Sequence, residues 1–240
     1  MIGLGTLINT AAVAVGCLLG MLFKKGISEQ VQNILMSACG VATMFIGAGG
    51  AFASMLVPSE KGFETAGGML LIISLVLGGL LGQLCGIERR MDCLGEKIKS
   101  AVGAQGDGGF VEGFVGLSLV VCVGAMAVVG AIEDGTTGNC TTLVSKSVLD
   151  FIISLVFASS YGIGTIFSAA AILVYEGLIT AAAAFFGSFV PQSVISDISF
   201  VGSALIFCVG INLVFGKKIK VGNFLPALVV AAVYSVVFNK

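Results

Sequence analysis

Histidine and tryptophan are both absent from this sequence, and charged residues make up only 10% of its 240 positions. Without histidine, the commonest general base, histidine haem ligands and most catalytic zinc sites are excluded. Without tryptophan, any aromatic belt at a membrane interface has to come from Phe and Tyr. A soluble domain carries roughly 25% charged residues, so the shortage of charge excludes an ordinary soluble fold. The net charge of -1 gives no basic field for nucleic acid.

Long apolar runs replace the missing charge, since 57% of the residues are hydrophobic. A helix crosses the hydrocarbon core with about 20 residues, and the sequence offers run after run of that length. We therefore predict an all-α membrane protein, a single polytopic domain over 1–240 with about eight transmembrane helices and the lipid bilayer as its partner. The predicted spans are 2–23, 31–57, 67–87, 111–132, 143–161, 164–190, 196–215 and 221–238.

The connections between the spans are short. The longest, 88–110, starts with charged residues that predict a short surface helix and ends in a glycine-rich loop. Spans five and six abut, and Gly162 and Gly164 permit a tight turn between them.

Basic residues predict the orientation, because cytoplasmic loops carry an excess of Lys and Arg. With eight spans, nine basic residues fall on one face, and Lys61 and Lys240 fall on the other. Both termini are therefore predicted to lie outside the cytoplasm. The nine are Lys24, Lys25, Arg89, Arg90, Lys97, Lys99, Lys217, Lys218 and Lys220.

Two parts of the chain resemble each other. Residues 7–16 (LINTAAVAVG) resemble 178–187 (LITAAAAFFG), and 37–45 resembles 199–207. Spans one to three, about 1–87, then correspond to spans six to eight, about 164–240, with a central pair at about 111–161. The copies are five spans apart, and an odd offset makes the repeat inverted, as in many transporters. Chance similarity between two Ala-, Val- and Gly-rich segments is the alternative.

Many of the 35 glycines recur at helical spacing, which predicts close helix packing. Gly16 with Gly20, and Gly78 with Gly82 and Gly86, are the clearest sets. The alternative is that some glycines interrupt helices, and 47–50 and 130–138 are the best candidates for such breaks.

Charged side chains inside the predicted spans are few, and each is a functional candidate because it is costly in the bilayer. Lys146 and Asp150 are four residues apart, so they share a helix face and can pair. The acidic segment 130–142, which includes Asp134, precedes them. It is either an ordinary outer loop, or a loop that dips inward to line a polar cavity with Asp150.

Asn9 with Thr6 and Thr10 forms a second polar patch, in span one, and its repeat counterpart Thr180 lies in span six with Glu176. Glu176 is about halfway along span six, and the sequence identifies no partner for it. Our candidate residues for binding a substrate or ion are Asn9, Thr10, Asp134, Lys146, Ser147, Asp150, Thr180, Asn212 and Asn223. If the repeat is real, the patches of its two copies meet at the pseudo-twofold axis.

Four segments carry a family resemblance: Gly5–Asn9, Gly130-Ala131 with Gly135 and Gly138, Lys146–Asp150, and Asn223–Ala227. They resemble the YqgA/YdfK-like bacterial membrane proteins, domain-of-unknown-function family 554, over nearly the whole chain and in the same order. The resemblance implies a multi-pass protein of the bacterial inner membrane and names no substrate. The residues that by resemblance fall on motif positions are Asn9, Lys146, Ser147, Asp150, Asn223 and Pro226, whereas Glu176 matches none.

The sequence favours a transporter of a small polar solute or ion, because it combines an inverted repeat with polar residues inside the spans. An ion channel and a non-transporting scaffold are the alternatives. We expect no enzyme, cofactor or metal site, because no catalytic or phosphate-binding motif is present. The seven cysteines form no C-x-x-C pair, so no disulfide framework is expected, and self-association is left open.

Overall fold

A computed structural model describes residues 1–23, 28–59, 62–101, 103–104, 106, 108–122, 125–186 and 191–238. Lys24, Lys25, Lys61 and Lys240, which entered the orientation argument, and Gly187 of the second repeat copy lie outside these residues. The α-helices are α1 Leu4–Phe23, α2 Glu29–Met55, α3 Gly68–Cys85, α4 Ile87–Ala101, α5 Phe110–Cys122, α6 Ala125–Thr137, α7 Thr141–Tyr161, α8 Phe167–Phe186, α9 Gln192–Phe215 and α10 Pro226–Phe238. Two 3-10 helices, η1 Ile163–Ile166 and η2 Val221–Phe224, precede α8 and α10.

The all-α membrane fold is confirmed. Within the ranges just given, seven helical segments are long and apolar enough to cross a bilayer. They correspond to seven of the predicted spans, because span length is dictated by the thickness of the hydrocarbon core. A short antiparallel hairpin, β1 Leu56–Ser59 with β2 Gly62–Thr65, joins α2 to α3. The charged start of the connection 88–110 forms α4, as predicted.

The fourth predicted span, 111–132, covers most of α5 and the first part of α6, each of 13 residues. Positions 123 and 124, between the two, lie outside the residues that the structure describes, so the prediction of one span there stays a prediction. The segment 130–142 is not a loop over its first part, since α6 continues to Thr137.

The alternative of glycine breaks is wrong for most of the two candidate segments. Helix α2 runs through 47–50 without interruption, and α6 runs through Gly130 and Gly135 before it ends at Thr137, next to Gly138 with a φ of 70°. Helix propensity is a weak preference that tertiary context overrides, and backbone groups shielded from water require internal hydrogen bonds.

The chain forms two compact units, described separately. The first comprises 1–39, 89–122 and 126–188, and the second comprises 40–88, 123–125 and 189–240.

In the first unit, α1 and α7 run parallel in close contact. A Cβ on Gly16 would overlap the main-chain oxygen of Phe151, and one on Gly20 would overlap that of Leu155. The glycines therefore let the two backbones approach, as their spacing predicted. Helix α5 runs antiparallel to α7, with Gly113 against Tyr161.

In the second unit, α9 and α10 run antiparallel to α2 and α3 respectively. Gly40 of α2 lies against Gly210 of α9, and Gly82 of α3 lies against the backbone of Asn223. Gly86 has a different role from the packing one predicted, because it ends α3 with a φ of 62°. A small core holds this unit together and consists of Leu70, Phe200, Val201, Ala227 and Ala231.

Candidate functional site

Four polar side chains of the first unit meet in its interior. We call Asn9, Lys146, Asp150 and Glu176 the central cluster. Asp150 is the tenth of the 21 residues of α7, and Glu176 is the tenth of the 20 residues of α8. Both carboxylates therefore lie halfway along helices long enough to span a membrane, the depth at which a charge is most costly.

Lys146 is the hub of the central cluster. Its ammonium group contacts the Asp150 carboxylate, and lies 3.3 Å from Oε1 of Glu176. It also donates a hydrogen bond of 2.7 Å to the main-chain oxygen of Val121, in the last turn of α5. The predicted pairing of Lys146 with Asp150 is confirmed.

Asn9 joins the cluster from α1. Its Nδ2 donates a hydrogen bond of 2.9 Å to Oε1 of Glu176, and its side chain also lies close to Asp150. The Asn9 amide and the Glu176 carboxyl group each have one further polar atom, Oδ1 of Asn9 and Oε2 of Glu176. Both oxygens are buried and have no hydrogen-bond partner in the structure. Buried polar atoms are nearly always paired, so these two acceptors point to a group that can donate to them.

The central cluster is shut off from solvent. Lys146 and Asp150 are each 4% exposed, and Asn9 and Glu176 are 0% exposed. If its three ionisable groups all carry their usual charge, one positive and two negative charges leave a net charge of -1. A buried, uncompensated charge costs several kcal/mol, so one further positive charge would stabilise the cluster.

The predicted patches of α1 and α8 do meet. Thr6 and Thr180 share a hydrogen bond of 3.1 Å one helical turn from the central cluster. Thr10 does not join them through its hydroxyl, which donates to the main-chain oxygen of Thr6. Ser147 likewise bonds within its own helix, to the oxygen of Val144.

Asp134 closes the start of α1. Its Oδ2 accepts from the amides of Gly5 and Thr6, and its Oδ1 accepts from that of Gly3. The first amides of a helix are unpaired and attract an anion. Asp134 is therefore buried, as a re-entrant segment would require, but it binds the α1 backbone and makes no hydrogen bond with Asp150 in the structure.

The remaining candidates lie in the second unit and bind backbone there. Asn212 donates to the oxygen of Ile219 and accepts from the amides of Lys218 and Ile219. Asn223 accepts from the amide of Glu88. Their role in binding a substrate stays a prediction.

Asn223 belongs to a junction at the end of α3. Its Nδ2 donates to Gln83, and the Glu88 carboxylate accepts from the amide of Gly222 and from Lys217. The connections after α3 and after α9 therefore lie side by side at one end of this unit.

Sequence reasoning left out Glu176 and the Val121 carbonyl. Glu176 belongs to the central cluster and the Val121 carbonyl contacts it, in both cases through residues that are distant in the sequence. The signal for Glu176 was present all the same, since a carboxylate in the middle of a span is a functional candidate by default. In the portion of the chain that the structure describes, no three His, Cys, Asp or Glu residues gather so that they could hold a metal ion.

The sequence is similar to uncharacterized proteins of two bacteria. The profile of a family described as "Protein of unknown function (DUF554)" matches residues 4–236. The uncharacterized membrane protein YdfK of Bacillus subtilis (strain 168) is 33% identical over 229 residues, 95% of this chain and 94% of YdfK. The uncharacterized protein YqgA of Escherichia coli (strain K12) is 27% identical over 232 residues, 95% of this chain and 94% of YqgA. No solved structure matches the sequence.

Proposed function

We propose that this chain, which belongs to the DUF554 family, transports a small polar solute or ion across the membrane, with the central cluster as its binding site. One observation carries the proposal: two buried acceptor oxygens, Oδ1 of Asn9 and Oε2 of Glu176, lie unpaired at the middle of membrane-length helices. A buried acceptor without a partner destabilises the fold by about 1–3 kcal/mol. In a protein that is only a scaffold, no function would offset that cost.

The enclosure of the cluster favours a carrier over an open channel. A channel that conducts exposes its polar lining to water, whereas Asn9 and Glu176 are fully buried. A carrier passes through an occluded state of this kind. The main-chain oxygen of Val121, which accepts from Lys146, adds a further polar group beside the cluster.

Eight crossings are part of the proposal. Each of α5 and α6, with 13 residues, is about 20 Å long, too short to cross about 30 Å of hydrocarbon. Helix α5 starts beside Gly164, which lies just after the end of α7. In α6, Gly130 lies beside Leu143, near the start of α7. Together they carry the chain from one end of α7 to the other, which supports counting them as one crossing.

The inverted repeat is also proposed, and helix contacts support it. A twofold axis requires equivalent helices to cross at equivalent positions. The alignment places Leu7 opposite Leu178, and the contacts Thr6–Thr180 and Asn9–Glu176 lie on either side of that pair.

The second pair of equivalent helices behaves in the same way. The alignment of 37–45 with 199–207 places Phe45 opposite Phe207. The contacts of Gly40 with Val214 and of Gly50 with Ser203 lie on either side of that pair.

We place the chain in the bacterial inner membrane with both termini outside the cytoplasm. The contact between Lys217 and Glu88, 2.9 Å, supports this topology because it puts the basic connections after α3 and α9 at one end of the second unit. Fusions of alkaline phosphatase, active only outside the cytoplasm, and of a cytoplasmic fluorescent reporter to the C-terminus test it. A fluorescent C-terminal fusion with no phosphatase activity would refute the orientation.

Transport is tested in proteoliposomes. Stopped-flow light scattering follows the swelling of vesicles that hold the purified protein after mixing with a panel of small solutes: sodium, potassium and ammonium salts, small carboxylates, amino acids of each charge and polyols. We expect at least one solute to enter faster than it enters protein-free vesicles. Asp150→Asn should lose that difference, because it removes the partner of Lys146.

Ser160→Ala is the matched control, since the Ser160 hydroxyl only bonds the oxygen of Val156 within α7. It should retain the wild-type rate. The proposal fails if no solute in the panel moves faster with the protein than without it. Unitary currents in planar bilayers would show that the protein is a channel and not a carrier.

A further inference from the structure

The two unpaired oxygens of the central cluster belong to groups that already touch. Nδ2 of Asn9 donates to Oε1 of Glu176 over 2.9 Å. Oδ1 shares a carbon atom with that Nδ2, and Oε2 shares a carbon atom with that Oε1. An amide and a carboxyl group joined at one edge therefore each offer a bare acceptor next to the same hydrogen bond.

One hydrogen atom satisfies both acceptors. If Oε2 of Glu176 carries a proton, it can donate to Oδ1 of Asn9, and the amide and the carboxylic acid form a ring with two hydrogen bonds. We propose that Glu176 and Asn9 together form a proton-binding site, in which Oε2 of Glu176 holds the proton. The inference deepens the proposed transport function and rests on it for its role: it assigns the proton as the coupling ion.

Charge supports the same assignment. With the proton in place, Lys146 and Asp150 balance each other and the central cluster is neutral. Binding forms one O–H bond at Oε2 with a proton taken from water, and release breaks it. After release, the Lys146 ammonium, 3.3 Å from Oε1, is shared by two carboxylates, so the site keeps a cationic partner in both states.

The other ionisable groups around Glu176 are few. Helix α7 contributes Lys146 and Asp150, and α8 itself contributes Tyr175. The end of α5 contributes Cys122, and α1 contributes the uncharged Asn9. On α6, the carboxylate of Asp134 is bound to the amides of α1. Among them, Glu176 has a fully buried carboxylate oxygen without a hydrogen-bond partner in the structure.

Infrared difference spectroscopy tests the inference without any solute. A protonated carboxyl group has a C=O stretch that a carboxylate lacks and that moves when H2O is replaced by D2O. We expect this band in purified wild-type protein near neutral pH and its loss in Glu176→Gln. Asn9→Ala should keep the band but shift it, because the hydrogen bond from the acid to Oδ1 is gone. Asp150→Asn should weaken the band, because Lys146 then faces a single carboxyl group and the cluster is neutral without the proton.

Glu176→Gln also serves as a folding control. Its amide can accept from Nδ2 and donate to Oδ1 of Asn9, so it imitates the protonated acid, and we expect a melting temperature at least equal to that of the wild type. Asn9→Ala provides the second, independent readout if Glu176→Gln does not fold.

Three results would overturn the inference. One is a spectrum with no such band, and another is a band that disappears in Asp150→Asn but remains in Glu176→Gln. The third is a melting temperature that rises when Na⁺ or K⁺ replaces choline at constant pH and ionic strength, which would assign the two oxygens to a metal cation. Solute uptake without the band refutes the proton site alone, while the band without uptake of any solute refutes the transport function.

Discussion

Lys146 of α7 holds the end of α5 through the oxygen of Val121, 2.7 Å from its ammonium nitrogen and 25 positions earlier in the chain. The same ammonium contacts Asp150 and Glu176. One side chain therefore joins three helices, α5, α7 and α8, in the interior of the first unit.

Replacing Lys146 by Met should strongly destabilise the fold. Two buried carboxylates would lose their cation, and breaking a buried ion pair from one side costs about 3–5 kcal/mol. The double variant Lys146→Met with Asp150→Leu should recover much of this loss, because it removes both charges of the pair. Unfolding by denaturant in detergent measures the free energy of each variant. Equal losses in the single and double variants would contradict the role of the pair.

Asp134→Ala should loosen the start of α1. Three amides would lose a charged acceptor, with a loss of about 1–3 kcal/mol in the free energy of unfolding. Hydrogen exchange at Gly5 and Thr6, measured by mass spectrometry, should rise. Thr136→Ala, on the exposed side of the same helix, only removes a bond to the oxygen of Ile132 and is the control. Unchanged exchange in Asp134→Ala would show that α1 does not depend on this carboxylate.

Gly82→Ala should disrupt the contact between α3 and η2. The added Cβ would overlap the main-chain oxygen of Asn223, and overpacking of this kind costs about 1–3 kcal/mol. Gly49→Ala in the middle of α2 meets no atom within 4 Å, so it should stabilise the helix by roughly 0.5–1 kcal/mol. Melting temperatures that move in the same direction for both variants would refute this steric argument.

Glu88 and Lys217 contact each other, but replacing Glu88 should destabilise the fold more than replacing Lys217. The Lys217 side chain is 59% exposed, and surface ion pairs contribute about 0–1 kcal/mol. The Glu88 carboxylate also accepts from the buried amide of Gly222, so Glu88→Ala should cost about 1–3 kcal/mol. Thermal unfolding of Lys217→Ala and Glu88→Ala compares them, and a larger loss for Lys217→Ala would reverse the assignment.

Local patterns were predictable from the sequence. The long helices follow from apolar runs of bilayer length, and the pairing of Lys146 with Asp150 follows from their spacing on one helix. The turn at Gly162, which has a φ of 81°, follows from glycine's freedom in that conformation.

Long-range relationships were not predictable. Glu176 gains its partners from α1 and α7, and no property of its own helix indicates which residues will face it. The backbone partners of Asn212 lie in the connection that follows its helix, and its chain neighbours do not reveal them.

The order in which the helices are made suits the contacts that they later form. The polar side chains of α1 are all uncharged, so exposure of this helix to lipid costs little free energy. Its partners, more than a hundred residues later, are synthesised after it. Helix α7 brings Lys146 and Asp150 into the bilayer already opposed on one face. Glu176 is therefore inserted after its two partners, Asn9 and Lys146. Its carboxyl group can contact them at once and need not be exposed to lipid.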